Sequence, residues 1–221
     1  MLNTTLREKL NRNAIKVLKD NPPLSPVTKL IDLDGRKVVL KDYSQRAWWV
    51  KDVWGRLLIN HEYYILKRLA GQPGVPKAVS LVDEYAFLSE YINGQPLSKF
   101  KPDTLPPIFF EYLTEEIKKI HAGGVVHLDL GQKKNIMADE KFRPFFIDFA
   151  NALYFRREAF GFKQLFDLLC LIDRGALLKF KHRLFPGLLT RSEKKFLKRF
   201  LTIRRLWIFK RKKYRPKDVV K

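Results

Sequence analysis

Two aspartates bracket the stretch from His127 to Asp148, HLDLGQKKNIMADEKFRPFFID, and no other segment restricts the chain so tightly. An acid follows His127 at Asp129, an amide comes further on at Asn135, and a second acid, Asp148, ends the apolar run Phe145-Phe146-Ile147. The pattern predicts two short strands, 136–138 and 145–148, around the turn Asp139-Glu140-Lys141. Phosphoryl transfer from a magnesium nucleotide needs groups of these kinds. One carboxylate orients a hydroxyl and accepts its proton, while an amide oxygen and a second carboxylate hold the metal. Magnesium takes hard oxygen ligands and keeps several waters, so two protein ligands plus phosphate oxygens suffice.

Upstream, Val38-Val39-Leu40-Lys41 predicts a buried strand that delivers one lysine. The segment from Ile59 to Leu66, read as a helix, turns Leu58, Tyr63 (or Ile65) and Leu69 to a core and leaves Glu62 to meet Lys41. A strand lysine paired to a glutamate on the next helix is how α- and β-phosphates are held in kinases. Residues 87–92 predict a strand running into a hinge closed by Asn93-Gly94. His121-Ala122-Gly123-Gly124-Val125-Val126 leads a helix end into the His127 loop.

In this order the pieces resemble the protein-kinase-like superfamily, most closely the small bacterial kinases grouped with RIO kinases and lipopolysaccharide-core sugar kinases. The resemblance spans about residues 30–175. It implies an α+β, bilobal fold: a small antiparallel-sheet N-terminal lobe (1–92) and a truncated, mainly helical C-terminal lobe (93–221) with the catalytic loop and a basic tail. It implies ATP and Mg²⁺ as cofactors. Lys41 and Glu62 match the phosphate-binding ion pair, Glu90 and Ile92 the hinge whose backbone binds adenine, and Met137 the floor under the base. Asp129 matches the catalytic aspartate, and Asn135 and Asp148 match the metal ligands. Asp167 matches a helical acid that braces the catalytic loop, or is a plain solvated acid.

Three features depart from the family pattern. The position where the catalytic-loop asparagine is expected holds Lys134, with Asn135 one later. Asp148-Phe149-Ala150 replaces Asp-Phe-Gly. No glycine-rich loop precedes Lys41, since the first glycine is Gly35. Asp34-Gly35 predicts a hairpin turn between strands 28–33 and 37–42, so the phosphates are covered from residues 21–26 or elsewhere. After Asp148 there is neither an Ala-Pro-Glu motif nor room for a peptide-binding shelf, which fits the minimal RIO-like or sugar-kinase-like forms.

Each residue alone has a plainer account: His-x-Asp as a surface loop, Lys41 as a solvated strand end, Glu62 on a wet helix face, Asp148 capping a turn. The set points to a kinase that moves the γ-phosphate of Mg-ATP to a hydroxyl, on a membrane glycolipid sugar or a protein Ser/Thr. Lys133 and Lys134 either steady charge on the transferring group or are exposed loop charges. The alternative is a nucleotide-binding pseudokinase or scaffold with a basic membrane- or RNA-binding tail.

The remaining predicted elements are a helix over 6–18, a Trp48-Trp49-Trp54 segment leading through Gly55 into the Glu62 helix, and strands near 78–82 and 85–91. Helices are expected from Asp103 or Thr104 (with Pro106 and Pro107 in the first turn) to His121, over 162–174, and over 191–209. Thr190-Arg191-Ser192-Glu193 is a capping box. The formal net charge is +21, and its largest excess lies in residues 178–221, whose only acids are Glu193 and Asp218. Phe196, Phe200, Ile203 and Trp207 recur at helical spacing among lysines and arginines, followed by Phe209, Tyr214 and Lys210-Arg211-Lys212-Lys213. That pattern over 191–217 suits an anionic membrane surface, RNA phosphates less well, or packing of its apolar stripe on the second lobe. The lone Cys170 can form no internal disulfide and sits in an apolar run. Residues 1–20 are too polar for a signal peptide, so the expected location is cytoplasmic, with the tail peripheral on the inner membrane face.

Overall fold

A computed structural model describes residues 2–156 and 162–206. Its first half is a five-stranded sheet built from β1 (Ala14–Lys19), β2 (Val27–Leu33), β3 (Arg36–Asp42), β4 (Ala78–Asp83) and β5 (Ala86–Glu90), in the order β1-β2-β3-β5-β4. All pairings are antiparallel. The β2–β3 turn is the expected two-residue hairpin: Asp34 and Gly35 both take positive φ, 53° and 82°, as a type I′ turn demands. The Asp32 carboxylate accepts the Gly35 N–H at 2.7 Å.

Strand alternation sorts the sheet's two faces. Val38, Leu40, Ala86 and Leu88 pack with Ile31 and Val82 against Leu6 and Leu10 of helix α1 (Leu2–Arg12). Arg7 of α1 clamps the sheet by pairing with both Asp42 and Asp83. Lys41 and Phe87 therefore face the opposite side, toward helix α2 (Arg56–Arg68). The chain enters α2 through a π-helical turn over Val50–Gly55. From α2, Ile59, Glu62, Ile65 and Leu66 are buried, a stripe at helical spacing.

The helix predicted over 6–18 is shorter than expected. It stops at Arg12, and Ile15 and Val17 belong to β1, an edge strand whose apolar side chains are exposed. The Leu6–Leu10 repeat does not continue past Asn13, where β-branched residues two apart favour extended chain.

The second half is mainly helical. Helix α3 (Phe109–Ala122) buries Phe109, Phe110, Leu113, Ile117 and Ile120. It begins later than predicted: Pro106 and Pro107 form the preceding turn, their carbonyls accepting the N–H groups of Phe109 and Phe110, and Thr104 bonds back to Lys101 instead of capping. A three-stranded sheet pairs β6 (Gly94–Pro96), β8 (Ile136–Asp139) and β9 (Pro144–Phe146), while β7 (Val125–Val126) pairs with β10 (Leu153–Tyr154). Helix α4 runs unbroken over Phe162–Leu184, ten residues past the predicted end at 174. Helix α5 (Arg191–Leu206) opens with the predicted capping box: Thr190 Oγ1 accepts the Glu193 N–H, and Glu193 accepts the Thr190 N–H. One cluster, from Phe87 and Ile65 through Leu113, Phe146 and Phe149 to Leu177 and Phe180, joins the sheet's inner face to α2, α3 and α4.

On α5, Leu197 and Leu201 are buried against Leu178 and Leu189, with Phe196 and Phe200 packed beside them. Phe196 lies under the Arg174 guanidinium, 4.7 Å from ring centroid to Cζ. Much of the predicted aromatic face is thus occupied by α4, and Ile203 stays exposed. Trp207, Phe209, Tyr214 and the run Lys210 to Lys213 lie outside the described residues.

Candidate active site

Lys41 reaches off the inner face of β3 into the space between the two halves. Its Nζ donates to Glu62 at 2.6 and 2.8 Å and to Asp148 Oδ1 at 2.8 Å. The two carboxylates differ in setting: the Glu62 side chain is 5% exposed and that of Asp148 28%. Burial pushes the Glu62 carboxyl above the usual range, opposed by Lys41 and by the Phe149 N–H that it accepts at 3.0 Å. Asp148, at the open edge, is held well below the usual range by the Lys41 charge. Burial pulls Lys41 down, but the charges of Asp148 and Glu62 outweigh it and the net shift is upward. One ammonium thus serves two carboxylates, and desolvation decides which of them holds its proton more tightly.

Asp148 takes a left-handed backbone conformation, φ 68°, uncommon for a residue with a side chain. That turn sends its carboxylate to Lys41 while the next amide, of Phe149, goes to Glu62. The arrangement locks the start of the Phe149–Asn151 helical turn onto α2.

The Asp129 loop is braced from below. Asp173, fully buried on α4, accepts the backbone N–H of His127 at 2.8 Å and of Leu128 at 2.9 Å, and meets the His121 ring at 3.0 Å. Asp167, the acid singled out from sequence for this role, is exposed. Phe166, Asp173, Leu177, Phe180 and Leu184 of α4, all buried, form a helical stripe that includes Asp173 and passes beside Asp167. Carrying the periodicity from Phe166 would have selected the right acid. His127 is also buried, its ring 4.6 Å from that of Phe149 and its Nε2 donating to the Ile147 carbonyl. Desolvation lowers its pKa and favours the neutral imidazole.

Asn135, 1% exposed, donates its amide N–H₂ to the Asp129 carbonyl and to Asp129 Oδ2, both at 3.1 Å. Gln132 and Asn151 donate to the same carboxylate. With Nδ2 committed to oxygen acceptors, the Asn135 side-chain oxygen is left as an acceptor. No group of three or more His, Cys, Asp or Glu capable of holding a metal occurs among the described residues. A divalent cation here would rest on the Asn135 and Asp148 oxygens completed by phosphate oxygens and water, a set that suits Mg²⁺.

The other residues singled out from sequence fall around this centre unevenly. Glu90 ends β5 and turns its carboxylate back to the Lys77 N–H; Ile92 is buried just beyond. Met137 lies on the face of β8 opposite the buried Ile136 and Ala138. Lys133 and Lys134 are both exposed. The Lys133 carbonyl accepts the Ser98 N–H, whereas the charge of Lys134 is felt at Lys19. Lys19, at the end of β1, was not singled out from sequence. It is half-buried and within electrostatic reach of Asp148, Lys134, Lys41 and Glu62, with burial the main influence lowering its pKa. The expected helix over 6–18 ends just before Lys19, whose place on the sheet follows only from strand β1.

A five-stranded antiparallel sheet whose third strand carries a lysine bound to a helical glutamate, set against a helical half with a braced Asp129 loop, defines a protein-kinase-like α+β fold. Solved structures that share it include two of Rio2 kinase. The Rio2 kinase–ADP/Mg²⁺–phosphoaspartate complex from Chaetomium thermophilum superposes with a TM-score of 0.59 at 17% identity, over 89% of this chain and 64% of that one. The Rio2 kinase from Chaetomium thermophilum gives 0.53 at 16% identity, over 93% of this chain and 77% of that one. The chain thus spans just under two-thirds of the length of the first. No curated protein sequence matches it. The RIO domain profile matches residues 36–162, and the chain belongs to the RIO family.

Proposed function

We propose that the protein transfers the γ-phosphate of Mg-ATP to a hydroxyl acceptor, either a sugar of a membrane glycolipid or a protein Ser/Thr. The observation that carries this reading is the convergence of Glu62 and Asp148 on the single ammonium of Lys41. Lys41, fixed in direction by Glu62, would contact the α- and β-phosphates. The backbone of Glu90 and Ile92 would bind adenine above Met137. Asn135 and Asp148 would hold Mg²⁺, which when bound neutralises phosphate charge. Asp129, its Oδ2 already oriented by Gln132 and Asn135, would align the acceptor hydroxyl and take its proton. Of the two loop lysines, Lys134 is favoured to steady charge on the transferring group because it shares a field with Lys19. That the similar Rio2 kinase complex contains ADP and Mg²⁺ supports the cofactor assignment.

A second reading, a nucleotide-binding pseudokinase, is favoured by one feature: residues 20–26, which join β1 to β2, contain no glycine. Transfer from γ-labelled ATP separates the two. Wild type should turn over ATP, and Asp129→Ala and Asp148→Ala should each lose on the order of 10²–10³ in rate. Equal turnover by both variants and wild type contradicts the kinase reading; nucleotide binding without turnover by wild type favours the pseudokinase. Basic residues over 191–217 would bring the protein to an anionic cytoplasmic membrane face if the acceptor is a glycolipid, with RNA the less favoured ligand.

A further inference from the structure

We propose that Lys19 is a phosphate-contacting residue of the nucleotide site, supplying from β1 the positive charge that a glycine-rich loop would otherwise provide through backbone N–H groups. The inference rests on the nucleotide reading of the cleft given above.

A phosphate-cradling loop works by pointing consecutive backbone N–H groups at the anion, and glycine lets the backbone come close. The segment joining β1 to β2 has prolines at 22, 23 and 26, and proline has no N–H to give. The loop in the cradling position is therefore poor in donors, and charge must arrive from a side chain.

Strand register identifies which one. Lys19 pairs with Thr28 across β1–β2, and Thr28 pairs with Lys41 across β2–β3. Directly opposed residues in antiparallel strands share a face, so Lys19 and Lys41 stand on the same side of the sheet, the side that meets Glu62 and Asp148. With strands ~4.8 Å apart, their backbones are separated by about 10 Å, a span an extended triphosphate can bridge.

The electrostatics point the same way. Lys41 is engaged by two carboxylates, whereas no carboxylate lies within ion-pair distance of Lys19 among the described residues. Lys19 is half-buried and close enough to Lys41 and Lys134 to feel both. Bringing the Lys19 ammonium near those of Lys41 and Lys134 costs free energy that a polyphosphate would relieve.

Titration of the purified full-length chain with Mg-ATP and with adenosine, for wild type, Lys19→Met and Lys19→Arg, tests this. Lys19→Met is expected to weaken Mg-ATP binding on the order of tenfold or more while leaving adenosine affinity unchanged, and Lys19→Arg to restore most of the loss. If Lys19→Met binds Mg-ATP as wild type does, or loses ATP and adenosine alike, the inference is overturned and the nucleotide reading stands. Failure of wild type itself to bind Mg-ATP overturns both.

Discussion

Lys41 is worth most to the folded chain because it is shared. Two carboxylates of unequal burial meet one ammonium, and the more exposed of them, Asp148, stays ionised far below its usual value near 3.8. In acid the unfolded chain protonates this residue while the folded chain does not, so unfolding takes up a proton. The resulting stabilisation is complete above about pH 5 and is lost as pH falls through the depressed folded value. Asp148→Asn should therefore flatten the fall of stability with pH below about 4, measured by urea midpoints; identical acid limbs for variant and wild type would count against the pairing. Asp173 is the other decisive single residue. Asp173→Ala leaves the buried His127 amide and the half-buried Leu128 amide without their acceptor, at about 1–3 kcal/mol for a fully buried group so orphaned and less for the half-buried one. Urea unfolding should show a loss of about 2–4 kcal/mol, and a loss below 0.5 kcal/mol (roughly the size of an ordinary surface change) would remove Asp173 as the brace.

Among elements, those legible in the sequence were the ones whose local signals agree with their packing. The Asp34-Gly35 hairpin and the Thr190–Glu193 capping box each carry turn or capping chemistry that does not depend on distant residues. The core face expected for α2 (Leu58, Tyr63 or Ile65, and Leu69) is met only in part, because Ile59, Glu62 and Leu66 are buried with Ile65 and Leu69 while Leu58 and Tyr63 are half-buried. Asp129, Asn135 and Asp148 could be singled out from sequence because an acid, an amide and a second acid follow one another in one short segment, although Asn135 stands one residue later than the family pattern. What escaped depended on tertiary context. Strand β1 looked helical because Leu6 and Leu10 begin a helical repeat, and only pairing to β2 makes the following residues extended. Lys19 was hidden with it, and Asp173 was missed for its neighbour along the helix because the buried register of α4 is set by packing on α3 and β7. The α4–α5 contact offers a direct check of that packing. A Cβ on Gly175 would lie 2.5 Å from the Phe200 ring, which fills the notch left by the missing side chain. Gly175→Ala should destabilise by about 1–3 kcal/mol through overpacking, and Phe200→Leu in the same chain should recover part of it, read by thermal unfolding. Strictly additive losses in the double variant would separate α5 from Gly175.

At the scale of the whole molecule, one hydrophobic cluster runs from the sheet's inner face into the helical half, so the Lys41 strand and the Asp148 turn are held by a common core. That continuity allows Lys41 and Asp148, more than a hundred positions apart, to share one hydrogen-bond network. On the proposed reading, phosphate and metal recognition would be coupled through Asp148, which accepts from Lys41 at one oxygen and would offer the other to a cation. The most direct test is calorimetric titration of ADP into wild type and Asp148→Asn, with and without Mg²⁺. ADP should bind wild type more tightly when Mg²⁺ is present, and the substitution should abolish that gain while leaving metal-free binding within a few-fold. An unchanged magnesium effect in Asp148→Asn, or no ADP binding by wild type, would contradict the account.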